Sequence, residues 1–257
     1  MTCPQLPPEL ITQIISHLHH DNRALAACST VCRAWTYTAR CYLFASPRAL
    51  MQQDIDDLLC SKSVAIPFVR QLRLLGPLSW NGIIPRVVRA GFKFEMITSL
   101  SLTAFYSTYA VARSMFISHF AAIARLALHA CTFQDLPDFV HFISSFPRLE
   151  SLVVTNIQIA VGPGPPAPPS HLTPPPHLRH LEWRSFYTTP VLNWFTSSHT
   201  RPALRTFHVR GKDMRHLDAI NAFLPTMDLS LEEFSFVTSV YVGAPSITSF
   251  SSSFLRA

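Results

Sequence analysis

Residues 123–133 read IARLALHACTF, in which Ile123, Leu126 and Leu128 form an apolar triplet with the spacing apolar-x-x-apolar-x-apolar. The same triplet recurs on either side as Val69/Leu72/Leu74, Ile97/Leu100/Leu102, Leu149/Leu152/Val154, Leu178/Leu181/Trp183, Leu204/Phe207/Val209 and Leu231/Phe234/Phe236. Middle members of successive triplets lie 28, 26, 26, 29, 26 and 27 residues apart. A unit of that size is too small to bury its own apolar face and does so only by stacking on its neighbours, so the period predicts a solenoid.

Each triplet ends in a short alternating run, such as Arg70 to Leu75 and Glu150 to Thr155, which predicts a strand with one buried face. Helical stretches are expected between the strands at Ile83 to Ala90, Val111 to Phe120, Pro137 to Phe146, Val191 to Ser198 and Met214 to Leu224. Strand alternating with helix at this period gives an α/β fold with a curved parallel sheet inside and helices outside. The stretch 161–176, VGPGPPAPPSHLTPPP, is half proline, so an extended loop replaces a helix there. It reads either as a surface insertion or as an SH3 or WW ligand. After Phe236 only a Ser-rich tail follows, and a solenoid ordinarily closes its last edge with a polar element.

Composition narrows the function. Hydrophobic residues make up 48% of 257, ample for a core, and no apolar run approaches the roughly 20 residues of a membrane span. The start lacks a basic and apolar leader, so a cytoplasmic or nuclear chain without membrane partners is expected. The six cysteines include no CxxC pair, and Cys28, Cys32, His19 and His20 lack standard zinc-ligand spacing, so reduced thiols and no metal are expected. A net charge of +6 invites a nucleic-acid partner, but the arginines are dispersed and no nucleic-acid motif is present. Only Lys62, Lys93 and Lys212 among the 21 basic residues are lysine, so the positive charge is almost all guanidinium. No GxSxG, HExxH, P-loop or GxGxxG occurs, and no enzymatic role or cofactor is expected.

The first 45 residues are organised differently. Pro7 and Pro8 suit the first turn of a helix, Glu9 its positive end, and Leu10, Ile11, Ile14, Ile15 and Leu18 recur on one helical face. Asp21 is placed to cap a second helix carrying Leu25 and Cys28, and Val31, Trp35 and Ala39 mark a third. Three helices this short make a thin core, so a partner or the remaining chain must cover part of their apolar surface.

The run Leu6-Pro7, Glu9-Leu10, Ile14, Leu18, Leu25, Val31-Cys32-Arg33 and Trp35 resembles an F-box, the module that docks on the Skp adaptor of SCF ubiquitin ligases. The resemblance implies that Leu6, Pro7, Leu10, Ile14, Leu18, Leu25, Val31, Cys32 and Trp35 either bind the adaptor or hold the helices together. It divides the chain into an F-box at 1–45, a helical linker at 46–64 and a repeat domain at 65–257. With Cys131 and Phe133, the 123–133 unit fits the complete leucine-rich-repeat pattern, whereas other units depart from it, as where Ile157 replaces the usual Asn or Cys. The whole resembles F-box proteins with irregular leucine-rich repeats.

If the triplet residues point inward, the intervening ones line the concave face. Arg73, Arg125, Arg184, Arg210, His129, His180 and His208 then face only Glu182 and Glu233. These seven basic positions are candidates for binding a substrate protein through an acidic or phosphorylated segment. The resemblance implies a substrate-recognition subunit that joins its cargo to a Skp-type adaptor and a cullin scaffold. A binding scaffold without a degradative role remains the alternative.

Overall fold

The computed structural model describes residues 6–45, 69–75, 96–107, 120–159, 172–198, 202–211, 217–227 and 230–238. Helix α1 (Pro8–His17) follows Pro7, whose φ of −52° and ψ of 141° are natural for a proline ring at a helix entry. The Asp21 carboxylate caps α2 (Asn22–Cys28), accepting the N–H groups of Arg23 and Ala24 at 3.0 Å each. Helix α3 (Arg33–Ala45) begins later than the Val31/Trp35/Ala39 pattern predicts, so Val31 and Cys32 lie ahead of it. The Thr36 hydroxyl ties this junction, at 2.8 Å from the carbonyls of both Ser29 and Cys32. Ile11, Ile15, Leu25 and Ala39 form the buried centre of the unit, with Leu18, Trp35, Tyr42 and Leu43 around it.

The strands that follow are β1 (Gln71–Leu75), β2 (Ser99–Thr103), β3 (Tyr106–Ser107), β4 (Arg125–His129), β5 (Thr132–Phe133), β6 (Ser151–Thr155), β7 (Gln158–Ile159), β8 (His180–Arg184), β9 (Thr206–Gly211) and β10 (Glu233–Thr238). Helices α4 (Leu136–Ser144), α5 (Thr188–Ser197) and α6 (Leu217–Phe223) lie between them, the last running into a 3₁₀ turn at Leu224–Thr226. Seven strands form one parallel sheet in the order β1-β2-β4-β6-β8-β9-β10, which is open at both ends. Strands β3, β5 and β7 make a second, small parallel sheet that the sequence reading did not anticipate.

In the register the apolar triplets form continuous ribs. Leu72, Leu100, Leu126, Leu152, Leu181, Phe207 and Phe234 pair in a line across the seven strands. All but Phe234 are buried. Ahead of the strands, two consecutive N–H groups share one carbonyl of the preceding unit. Thr98 and Ser99 donate to Arg70, Ala124 and Arg125 to Thr98, Glu150 and Ser151 to Ala124, and the pattern continues to Glu232 and Glu233 on Arg205, all within 2.7–3.1 Å. Behind three strands the chain turns through left-handed residues, Ala104, Ala130 and Asn156, with φ of 56°, 51° and 52°. Their N–H groups donate to His129, Thr155 and Arg184 of the next strand, each at 2.9 Å. Equivalent backbone bonds thus recur at the period of the triplets.

Beneath the sheet a set of aromatic rings is embedded in a mainly aliphatic core. Phe105, Phe133, Phe139, Phe142 and Phe146 pack together, and Phe139 meets Trp183 edge to face at 5.8 Å. The helices expected at 137–146, 191–198 and 214–224 are found as α4, α5 and α6 with shifted ends. Those expected at 83–90 and 111–120, the latter apart from Phe120, which is described and not helical, lie outside the described residues, as do the linker at 46–64 and the Ser-rich tail. So does the proline-rich stretch up to residue 171. Its last part is irregular and pinned from both sides, Ser144 donating to the Thr173 carbonyl and Trp194 to that of Leu172, at 2.9 Å each.

Candidate functional site

Two surfaces carry the residues singled out by sequence. On the helical unit, the four-residue spacing of Leu10 and Ile14 places them on one side of α1, Leu6 lies just ahead of the helix, and Leu6, Leu10 and Ile14 are 45%, 45% and 41% exposed. Pro7 and Cys32 are also exposed, and Val31 is 64% exposed. Leu25 is fully buried, while Leu18 and Trp35 are half-buried against the small core. The structure therefore separates two roles that the sequence merged: Leu25, Leu18 and Trp35 join the helices, and the other six face outward. Tyr37, 65% exposed on α3, was missed by the sequence reading because it lies off the apolar face that Trp35 and Ala39 define.

The second surface is the side of the seven-stranded sheet that no described helix covers. Each residue between the triplet members is exposed or half-buried, and buried residues alternate with them on β1, β2, β4, β6, β8 and β9, whereas on β10 Phe234 and Phe236 are themselves only half-buried. Of the seven candidate residues, His180, Arg184, His208 and Arg210 come together around a depression of about 330 Å³, with Glu182 and Ser235 completing its polar lining. Arg73 stands on β1, and Arg125 and His129 on β4, outside this lining.

The depression is organised by strand register. His180 pairs with Thr206 and Glu182 with His208, so the side chains of β8 and β9 stand abreast. The His180 Nδ1 is hydrogen bonded to the Thr206 hydroxyl, and the His208 Nδ1 to that of Ser235 at 2.7 Å. The two imidazole centroids are 5.7 Å apart. Arg184 donates through Nε to the Glu182 carboxylate at 2.5 Å, and the Glu233 carboxylate stands 3.8 Å from His208 Nε2. Arg210 is exposed and makes no ion pair with another described residue.

Burial lowers the pKa of His180, and the neighbouring His208 lowers it further, against the opposing pull of Glu182 and Glu233. Burial likewise lowers that of His129, with Arg184 and Arg73 adding to the effect and Glu182 resisting it. His129 thus shares the electrostatic field of the depression from two strands away. Thr206, Ser235, Glu182 and Glu233, which orient the basic groups, were visible in the sequence only as intervening residues. Among the described residues no three His, Cys, Asp or Glu side chains gather into a metal site, and no helix is long and apolar enough to cross a membrane.

A search of curated proteins finds no match to the chain. Residues 3–47 match the family model of the F-box-like domain, a span that contains α1, α2 and α3 together with all the exposed apolar residues of the first surface, so the chain carries an F-box-like domain at its amino-terminal end.

Proposed function

We propose that this chain is the substrate-recognition subunit of an SCF-type ubiquitin ligase, docked on a Skp-type adaptor and, through it, on a cullin scaffold. The repeat region is read as a leucine-rich-repeat-like solenoid that holds a substrate protein on the side of its sheet that no described helix covers. The observation that carries the proposal is the exposure of the apolar side chains Leu6, Leu10, Ile14 and Val31 on an F-box-like unit whose own buried core is Ile11, Ile15, Leu25 and Ala39. Burying a side chain of this kind completely is worth roughly 1.5–3 kcal/mol, and since these are about half covered already, an adaptor that covers them gains roughly half of that from each.

In this reading the chain makes and breaks no covalent bond. It contributes effective concentration, holding substrate lysines near a charged conjugating enzyme. The cytoplasm or nucleus is its proposed location, and nucleic acid is not its proposed partner.

Co-expression with a Skp adaptor tests the proposal. The intact chain is expected to co-purify with the adaptor, and the Leu10→Ala/Ile14→Ala variant to lose it while keeping its thermal transition. Absence of a complex with the intact chain, or an undiminished complex with the variant, overturns the docking. Ubiquitylation of a captured protein in the reconstituted ligase distinguishes the receptor from the non-degradative scaffold.

A further inference from the structure

We propose that the cleft between α4 and α5 is a binding site for polyproline II peptide, filled in this structure by the chain's own residues 172–176, Leu-Thr-Pro-Pro-Pro, and that this strap is a built-in competitor of a proline-rich segment on a partner protein. The inference is independent of the adaptor docking and of the depression on the sheet.

Helices stand between β5 and β6, between β8 and β9 and between β9 and β10, but the described residues between β7 and β8 form none. Sequence dictates the shape of the strap. Thr173, Pro174 and Pro175 each precede a proline, which disfavours the helical region, and each proline ring holds φ at roughly −65°, so the stretch is extended in the polyproline II manner. Such a backbone has no internal hydrogen bonds, and a proline has no N–H, so its main chain presents carbonyl oxygens to its neighbours.

The flanking helices supply donors for those carbonyls. Ser144, the last residue of α4, donates its hydroxyl to the Thr173 carbonyl, and Trp194 of α5 donates its indole N–H to the Leu172 carbonyl, at 2.9 Å each. Pro174 and Pro175 are buried, Leu172 packs against the main core, and the Thr173 side chain stays exposed. Trp194 itself is only 1% exposed, so without an acceptor from the strap its N–H would be a buried orphan. A helix in this place would engage most of its carbonyls in its own ladder and leave both donors unanswered. The cleft is therefore built for an extended segment with free carbonyls, and proline-rich peptides are read in general by aromatic grooves that exploit this preformed backbone.

Recognition uses the main chain and the proline rings, and the exposed Thr173 side chain adds no selectivity. A proline-rich segment from another protein meets the same two donors. It competes with a strap whose effective concentration is on the order of millimolar, because the strap belongs to the same chain. The intact protein thus keeps the cleft filled and yields it to a proline-rich partner held close by.

The test uses two forms of the full chain, the parent and one in which residues 163–176 are replaced by a Gly-Ser spacer of equal length. The probe is a fluorescent peptide of residues 170–177, SHLTPPPH, and its control carries alanine in place of the three prolines. In anisotropy titrations the spacer form is expected to bind the probe about tenfold or more tightly than the parent does, and to bind the control about tenfold or more weakly than the probe. Trp194→Phe, made in the spacer form, keeps an aromatic ring, removes the donor and is expected to weaken probe binding by roughly five- to tenfold. Ser144→Ala in the same background should weaken it by roughly threefold or more.

Probe binding by the spacer form no tighter than by the parent overturns the proposal, as does equal binding of probe and control. Binding that survives both Trp194→Phe and Ser144→Ala overturns it as well. Where the spacer form lacks a thermal transition, the probe is expected to restore one and the control not to. Absence of that restoration counts against the cleft in the same way.

Discussion

The Cys131 thiol donates to the main-chain carbonyl of Leu102 at 3.5 Å, across 29 residues of sequence and one strand-to-strand step of the sheet. It is fully buried, and burial pushes its pKa up to about 11. This is the side chain that completes the repeat pattern at 123–133, and its role is to satisfy backbone where two successive units meet. Ser185 likewise joins the units of β6 and β8, donating to the Ile157 carbonyl at 3.1 Å.

Cys131 should consequently be inert in the native protein. With a pKa near 11, the thiolate is about one part in a thousand at pH 8 even before access is considered. Cys32, exposed ahead of α3, should react with iodoacetamide within minutes. Site-resolved mass spectrometry checks this, with Cys131 expected to be labelled only in denaturant. Native labelling at comparable rates would contradict the burial of the unit junction.

The left-handed residues offer a second measurement. Ala130 holds φ at 51°, which costs an ordinary L-residue roughly 1–2 kcal/mol, whereas glycine pays about 0.5–1 kcal/mol in chain entropy instead. Ala130→Gly is therefore expected to stabilise the protein by about 0.5–1 kcal/mol, and Ala130→Val to destabilise it. Urea midpoints measure both, and a fall in stability for the glycine variant would mean that the turn is not left-handed in solution.

How much of this was legible beforehand follows from where the physical signal lies. Leu126 and Leu128 could be assigned inward because the two-residue period of a strand leaves no other choice once one triplet member is buried. Asp21 was legible as a cap because an aspartate before a helical run has a specific pair of N–H groups to accept. Strands β3, β5 and β7 were not anticipated, since two-residue pairings leave almost no periodicity, although Phe133 and Ile159 are the buried members of β5 and β7, with buried Cys131 and Ile157 just ahead of each strand. The site was half legible. His180, Arg184, His208 and Arg210 could be placed on neighbouring strands, but the pairing of Arg184 with Glu182, which singles out Arg210, depends on rotamers that no spacing encodes.

Trp183 allows a test of the core. Its ring is buried against Phe139, yet its indole N–H has no hydrogen-bond partner among the described residues. Truncation to alanine should cost about 3–5 kcal/mol through the cavity it leaves. Trp183→Phe keeps an aromatic edge for Phe139 and removes a buried orphan donor worth roughly 1–3 kcal/mol, which offsets much of the lost volume. The phenylalanine variant should thus lie much nearer the parent than the alanine variant in chemical denaturation. Equal losses would show that the N–H is satisfied in solution.

The histidines give the stability a pH dependence of definite sign. His129 and His180 both have folded pKa values below the ordinary 6.5, so the unfolded chain takes up protons first as the pH falls. Their contribution is fully present above about pH 6.5 and is lost progressively as the pH drops through the folded values. The urea midpoint should decline between pH 7.5 and 5.5, and less steeply for His180→Asn.

On the helical unit, Leu10 and Leu25 should respond in opposite ways to the same truncation. Leu10 is 45% exposed, so Leu10→Ala should change folding stability by less than about 0.5 kcal/mol. Leu25 is fully enclosed by its neighbours, and Leu25→Ala should cost about 2–5 kcal/mol, a large share of what so small a core supplies. Adaptor binding should weaken in both variants, for different reasons. With Leu10→Ala the helices remain folded and the dissociation rate rises, because a contact has been removed from a formed surface. With Leu25→Ala the affinity falls in proportion to the folded fraction, and a stabilising osmolyte should restore it. Rescue of Leu10→Ala by the osmolyte, or full adaptor binding by either variant, would show that the outward row on α1 is not the docking surface.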